Sequence, residues 1–123
     1  MNESFERYSD EELEQETDVL KIKALNDCFR QTFTGGRILI TPGVQGLAEP
    51  IAREALIAIQ DFSDFSEDND PYGTHEFGEV NVSGVRVWFK IDAYDQSLEW
   101  GSPDPSDPAV TTRVMTIYLP EEH

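Results

Sequence analysis

The first long stretch with a regular hydrophobic pattern lies between residues 10 and 33. Its apolar positions recur at the spacing of one helical face, and they are Ile22, Leu25, Phe29 and Phe33. Ser9 and Glu12 have the spacing of a capping box, which favours a helix start at this point. Gly35 and Gly36 predict the end of the helix, because glycine adopts the left-handed C-terminal conformation without strain.

Two shorter elements are predicted next along the chain. The β-branched run Arg37–Thr41 indicates a strand, which Pro42 and Gly43 should end. Residues 47–61 repeat the helical spacing of apolar positions and predict a second helix. Pro50 falls in the first turn of this helix, where its missing N–H needs no partner.

The second half of the chain changes to a period of two, which is typical of half-buried strands. The alternation is clearest over 85–94, which is predicted to be a strand. A strand over 75–82, with a bulge near Gly78, should pair with it through a tight turn at Ser83-Gly84. A last strand is predicted over 111–119.

These elements predict an α+β domain in which two helices pack on a mainly antiparallel sheet of about four strands. The expected order is α-β-α-β-β-β, with loops over 62–74 and 95–109. Residues 9–123 are expected to form a single domain, and residues 1–8 a flexible acidic tail. The pattern leaves open which face of the sheet the helices cover.

Charge narrows the classes of partner. Acidic residues outnumber basic residues 25 to 9, so the 123-residue chain has a formal charge of −16. Seven acids fall in 61–79 and five in 92–107, and neither segment contains Lys or Arg. This charge argues against direct binding to nucleic acid or an anionic membrane, whose phosphates are bound through Lys and Arg.

The remaining composition favours a cytoplasmic protein. One cysteine excludes an internal disulfide framework. No apolar run approaches the ~20 residues that a membrane helix needs. The acidic N-terminus lacks the apolar segment of a signal peptide.

Four segments carry distinctive combinations of residues; they are KIKALNDCFRQTFTGGRILIT, DFSEDNDPYGTHEFGEV, FKIDAYD and SDPAVTTRVMTIYLPEE. Together they resemble a small family of proteobacterial proteins of unknown function, encoded on chromosomes and plasmids. The resemblance covers residues 20–122. It implies a bacterial cytoplasm and a mobile genetic element, a context compatible with a role against host defence systems. It implies no activity, substrate or cofactor.

Residues 68–79 partly match the calcium-binding loop of an EF-hand. The carboxylates at its ligand positions would be Asp68, Asp70, Glu76 and Glu79. Gly73 would allow the sharp turn, but Tyr72 occupies the place of another oxygen ligand, and a strand should follow where a helix belongs. The alternative is a turn in which Asp and Asn side chains bond to local N–H groups. A weak calcium-binding protein is therefore a lesser alternative, and no metal ligand is assigned.

His75 beside Glu76, with Asp70 nearby in sequence, has the composition of a carboxylate-oriented general base. No second catalytic residue lies at a fixed spacing, so a hydrogen-bonded histidine is the simpler interpretation. Cys28 lies on the apolar stripe next to Phe29, which predicts a buried thiol and not a nucleophile. No catalytic residue is assigned, and an enzyme is not expected.

Five residues share the face of the 85–94 strand opposite its apolar side; they are Arg86, Trp88, Lys90, Asp92 and Tyr94. An exposed Trp and Tyr would form a hot spot for protein binding. A helix or the 95–109 loop lying over them would instead make them structural.

The leading hypothesis is a non-enzymatic acidic protein that occupies a basic surface of a protein partner. Its most concrete form is a nucleic-acid mimic that inhibits a nucleic-acid-binding defence protein (anti-restriction or anti-CRISPR), because spaced carboxylates can reproduce phosphate charges. The expected binding residues are Asp64, Glu67, Asp68, Asp70, Glu76, Glu79, Trp88, Asp92 and Tyr94. The alternative is a cytoplasmic interaction module unrelated to defence. A monomer or homodimer without a cofactor is expected in either case.

Overall fold

The computed structural model describes residues 9–123, which form helices on one side of a four-stranded sheet. The helices are α1 Asp10–Thr32, α2 Pro42–Gln45 and α3 Glu49–Gln60. The strands are β1 Arg37–Ile40, β2 Phe77–Val82, β3 Val85–Tyr94 and β4 Thr112–Tyr118. Short 3-10 turns cover Pro108–Val110 and Pro120–Glu122. The α+β class is confirmed, while the sequence pattern did not indicate the single-turn helix α2. Residues 1–8, the predicted tail, lie outside the described residues.

The sheet is mixed. Its strand order is β1-β4-β3-β2, with β1 parallel to β4 and the other pairs antiparallel. Ser83 and Gly84 have φ values of 54° and 82°, as the predicted two-residue turn between β2 and β3 requires. The parallel pairing of β1 with β4 joins segments far apart in sequence, so local periodicity could not indicate it.

The bulge predicted near Gly78 is absent. Pairing between β2 and β3 runs unbroken along the whole of β2. Gly78 packs against Phe89, and a Cβ at this position would lie 2.5 Å from Phe89 Cε1. The glycine therefore lets an aromatic ring approach the backbone and does not mark an extra residue.

Helix α1 begins as predicted and ends differently. Ser9 Oγ accepts from the amide of Glu12 at 3.1 Å. At the other end Phe33, with φ 56°, takes the left-handed conformation that was expected of Gly35. Gly36 is required for a different reason: a Cβ at this position would lie 2.6 Å from a backbone oxygen of β4. Gly36 therefore lets the chain pass close to β4 and to the Phe29 ring, and neither glycine provides the helix cap.

The core lies between the helices and one face of the sheet. The sheet contributes Val80, Val82, Val87, Phe89, Ile91, Met115 and Ile117, and the helices contribute Phe29, Val44, Ala55 and Ile59. Alternate residues of every strand therefore point away from all three helices. This arrangement decides the question that the strand pattern left open.

The buried face of α1 is partly polar. Asn26 and Arg30 are only 3% and 1% exposed. Cys28 is exposed, so the prediction of a buried thiol is wrong. Its position is one residue, about 100°, around the helix from Phe29, which places it beyond the buried stripe.

Candidate functional site

The sheet face that points away from the helices is called the open face below. Its side chains are Arg37 and Leu39 of β1; Phe77, Glu79 and Asn81 of β2; Arg86, Trp88, Lys90, Asp92 and Tyr94 of β3; and Thr112, Val114, Thr116 and Tyr118 of β4. A groove of about 540 Å³ lies around Trp88 on this face. None of the groove-lining residues comes from a helix of residues 10–60 or from the 95–111 loop. The structure therefore excludes the alternative in which either one covers Trp88.

Trp88 lies at the centre of an aromatic row. Its ring makes edge-to-face contacts with Phe77 at 5.5 Å and with Tyr118 at 5.8 Å between centroids. His123 approaches it at 6.1 Å, and the guanidinium of Arg86 lies 5.8 Å from the ring centroid. Contacts on several sides restrict the orientation of Trp88, which makes it a rigid, half-buried side chain.

Glu79 holds the polar edge of Trp88. Its Oε1 accepts from Trp88 Nε1 at 2.6 Å and from Arg86 Nε at 2.8 Å. These donors, the indole first, lower the pKa of the Glu79 carboxyl below its ordinary value. The carboxylate therefore stays ionised at neutral pH, with Arg86 offsetting its charge.

The C-terminal turn closes one end of the groove. Glu122 accepts from Thr41 Oγ1 at 2.6 Å and from the amides of Gly43 and Leu119 at 3.0 and 2.8 Å. These bonds, with Thr41 contributing most, lower the pKa of Glu122. They anchor the turn next to His123, which lines the groove.

Two other predicted residues lie further along β3 on the open face. Asp92 lies 3.6 Å from Lys90 Nζ, and both side chains are nearly half exposed. Tyr94 is opposite Thr112 at the end of the strand and does not line the groove. The open face thus carries Trp88, Asp92 and Tyr94, but of the three only Trp88 lines the groove.

The loop between α3 and β2, residues 61–76, is called the acidic loop below, and it contains both exposed and inward-facing carboxylates. Asp64, Glu67 and Asp68 are exposed. The side chain of Asp70 is only 5% exposed, and its Oδ1 accepts from the backbone amide of His75 at 3.1 Å. Asp70 is therefore engaged within the fold, while the first three carboxylates form an acidic surface.

Glu76 lies where this loop enters the sheet. Partial burial raises its pKa above the ordinary value, and the charges of Asp70 and Asp92 add to the rise. The nearby Thr74 hydroxyl opposes the rise without reaching hydrogen-bond geometry. Glu76 and Asp92 therefore repel each other at the edge of the sheet.

His75 lies between two carboxylates. Its Nδ1 is 2.8 Å from Asp27 Oδ1, and its Nε2 is 3.7 Å from Asp70 Oδ2. The ring stacks on Phe65 with centroids 3.7 Å apart, and Asp27 also pairs with Arg30 at 2.9 Å. Because both ring nitrogens face carboxylates, the geometry fits a structural link between the acidic loop and α1.

The carboxylates of the segment that partly matches a calcium-binding loop, residues 68–79, do not converge. Asp68 is exposed, Asp70 faces His75, and Glu79 lies on the open face. Within residues 9–123, no group of three or more His, Cys, Asp or Glu side chains could hold a metal ion. The loop therefore lacks the oxygen cage that calcium requires.

Several residues that line the groove were not among the candidates predicted from the sequence; they are Thr41, Phe77, Thr116, Tyr118, Glu122 and His123. Phe77 and Tyr118 occupy alternate strand positions, which is a detectable signal. Their contact with Trp88 depends on the strand register, and long-range pairing sets that register.

No helix within residues 9–123 has both the length and the apolar composition to cross a membrane. Comparison with curated proteins and with solved structures finds no match to the chain. A family model does match, over residues 40–122, a segment that contains α2, α3 and strands β2 to β4. By this match over more than half of its length, the chain belongs to the family described as Protein of unknown function (DUF3768).

Proposed function

We propose that this protein binds a basic surface of a partner protein through its open face. The observation that carries the proposal is the groove around Trp88, which the helices of residues 10–60 leave uncovered. A rigid Trp next to Tyr and Arg has the composition of an interface hot spot. Such a side chain binds a partner at little cost in conformational entropy, because its neighbours already restrict it.

Charge complementarity defines the partner. The chain has a formal charge of −16, so a basic protein is attracted before contact and associates faster. Arg86 and Lys90 offset the carboxylates closest to Trp88. The open face therefore supplies packing, while exposed acids elsewhere, including Asp64, Glu67 and Asp68, supply long-range attraction.

The finer form of the proposal is nucleic-acid mimicry. A cationic cleft that normally binds nucleic-acid phosphates would bind a surface of carboxylates instead. The protein would thereby inhibit the nucleic-acid-binding partner that has this cleft. The base-free segment 92–107 and the exposed acids of the 61–68 loop supply those carboxylates. A defence nuclease is the partner that this form of the proposal expects.

A capture experiment with matched baits tests the contact surface. Wild-type protein, Trp88→Ala and Ile57→Ala are immobilised and exposed to the same bacterial lysate. Ile57 is the control because it is apolar, 51% exposed and on α3, away from the open face. A basic protein should be retained by wild type and Ile57→Ala and lost by about tenfold or more from Trp88→Ala. Equal retention by all three baits would exclude the open face.

A titration with the purified partner then tests the charges. One variant neutralises Asp64, Glu67 and Asp68; the control neutralises Glu11, Glu14 and Glu16, exposed acids at the start of α1. The loop variant should associate more slowly and with a shallower salt dependence, at nearly unchanged dissociation rate. Competition between the protein and duplex DNA for the partner would support mimicry. Simultaneous binding of both would contradict mimicry and leave the protein-binding proposal intact.

A further inference from the structure

A second cavity lies on the helix side of the sheet, remote from the Trp88 groove. It has a volume of about 250 Å³ and lies where α1, the acidic loop, β3, β4 and the 95–111 loop meet. Ile91 and Ala93 of β3 form part of an apolar wall, and Thr74, Glu76 and Arg113 contribute polar groups. The cavity therefore combines an apolar surface with several hydrogen-bonding side chains.

Arg113 brings a buried positive charge to this cavity. The residue is 4% exposed, and its Nε donates to Asn26 Oδ1 at 2.9 Å. Its Nη2 donates to the carbonyl oxygen of Pro105, so both acceptors are neutral. Burial lowers the pKa of the guanidinium, and no carboxylate of residues 9–123 opposes this effect. Nη1 has no hydrogen-bond acceptor in that part of the chain.

Arg30, the other buried arginine, has the carboxylate partner that Arg113 lacks within residues 9–123. Arg30 is 1% exposed and pairs with Asp27 at 2.9 Å. Buried charges are normally paired in this way, because an unpaired charge loses its hydration on burial and gains nothing in return. Within residues 9–123, Arg113 is a buried cation without a paired carboxylate, although the formal charge of the chain is −16.

Thr74 adds an unpartnered hydroxyl at the same cavity. The residue is 8% exposed, and its Oγ1 is buried without a hydrogen-bond partner among the described residues. The Thr74 carbonyl oxygen accepts from Asn26 Nδ2 at 2.9 Å. Asn26 thereby links the Thr74 backbone to the Arg113 side chain and holds the two residues near each other. A guanidinium and a hydroxyl can both donate to one anion.

We propose that this cavity binds the carboxylate of a small, mainly apolar organic acid, with Arg113 Nη1 and Thr74 Oγ1 as donors. The ligand carboxylate supplies the countercharge that Arg113 lacks, and the apolar part of the ligand covers Ile91 and Ala93. The cavity volume suits a molecule of the size of benzoate or hexanoate, about ten heavy atoms. Inorganic phosphate would leave the apolar wall uncovered. This site is independent of the proposed protein-binding face.

Glu76 lines the same cavity and therefore affects its affinity for an anionic ligand. Its raised pKa follows from partial burial and from the charges of Asp70 and Asp92. An ionised Glu76 repels a carboxylate ligand, so at neutral pH binding should be stronger in Glu76→Gln than in wild type.

The test is an NMR titration of the full chain with benzoate, hexanoate and phenylacetate. Benzyl alcohol serves as the uncharged control and inorganic phosphate as the anion without an apolar part. At least one acid should give saturable shifts of the Arg113 Nε–H and the Thr74 amide. Both controls should bind about tenfold more weakly or worse. The absence of saturable shifts with every acid up to about 10 mM would overturn the proposal.

Variants that keep the Arg113 bonds to Asn26 and Pro105 locate the ligand. Thr74→Val preserves shape and removes the hydroxyl, so it should weaken binding by about tenfold or more. Ala93→Leu fills the cavity and should abolish binding, while Ile57→Ala should leave it unchanged. Binding that survives Ala93→Leu would contradict the location. A further outcome would overturn the proposal. If Glu76→Gln binds the acids no more strongly than wild type, and the NMR shift of the Arg113 Nε–H follows the ionisation of Glu76, then Glu76 is the countercharge of Arg113.

Discussion

The two faces of the sheet place the same kinds of side chain in opposite environments. On the helix-covered face Arg30 is 1% exposed and pairs with Asp27. Its guanidinium also lies 5.2 Å from the ring centroid of Phe65 and 5.9 Å from that of Phe89, and it donates to the Phe62 carbonyl at 3.1 Å. This cluster joins α1, the acidic loop and β3.

On the open face Arg86 takes part in a cluster of similar composition. It pairs with Glu79 at 2.7 Å and lies 5.8 Å from the ring centroid of Trp88, yet its side chain is 55% exposed. Removal from water makes the first cluster costly to break, whereas water and salt screen the second. Burial therefore assigns the covered cluster to stability and leaves the exposed cluster available to a partner.

The sharpest test replaces one arginine on each face. Arg30→Ala should lower the free energy of unfolding by about 3–5 kcal/mol, because it removes a buried cation that Asp27 and the Phe62 carbonyl both require. Arg86→Ala should cost less than about 1 kcal/mol. Urea denaturation of both variants measures the difference. Similar losses for the two variants would show that burial does not separate the faces.

Two glycine-to-alanine variants, one on the helix-covered face and one in a loop, test how tightly the covered face is packed. In Gly78→Ala the new methyl group would lie 2.5 Å from Phe89 Cε1 and 2.8 Å from Phe62 Cε2. The rings must shift, and the expected loss is about 1–3 kcal/mol. Gly101→Ala is the control, because a Cβ there meets nothing within 4 Å, and its cost should stay within about 0.5 kcal/mol. Equal melting temperatures for the two variants would contradict the tight packing.

The pH dependence of stability tests the environment of Glu76, which lies at the edge of the sheet. Folding raises the pKa of this carboxyl, so the native state keeps its proton where the unfolded chain has released it. The native state therefore loses stability as the pH rises from the ordinary value of 4.5 through the raised one. Glu76→Gln should be more stable than wild type at about pH 7, with the difference vanishing at about pH 3. Parallel stability curves across this range would contradict the electrostatic cause.

The smallest expected effect concerns the turn that joins β2 to β3. Ser83 has a φ of 54°, a conformation that Asn adopts more readily than Ser. Ser83→Asn should stabilise the hairpin by about 0.5 kcal/mol or less. Ser83→Val should be destabilised, because β-branched residues disfavour positive φ. Thermal denaturation of both variants measures whether each melting temperature lies above or below that of wild type. A Val variant as stable as the Asn variant would contradict the turn assignment.

Much of the fold could be predicted from local pattern, whereas the site could be predicted only in part. The alternation over 85–94 led correctly to β3, and Ser9 led correctly to the start of α1. The same reasoning misread Gly78 as a bulge and Cys28 as buried, because both depend on contacts from distant elements. Trp88 was identified as a candidate, but Phe77 and Tyr118 were not grouped with it before the strand register was known.

The sequence by itself determined the α+β class, most element positions and the acidic charge, because periodicity, turn chemistry and composition act over short distances. Only the tertiary structure decided which acids are exposed and which are engaged. Asp70 and Asp68 are two residues apart, yet one is enclosed against His75 and the other faces water. Strand pairing and helix packing bring together residues that are far apart in the chain, and burial then determines whether a charge stabilises the fold or is available to a partner.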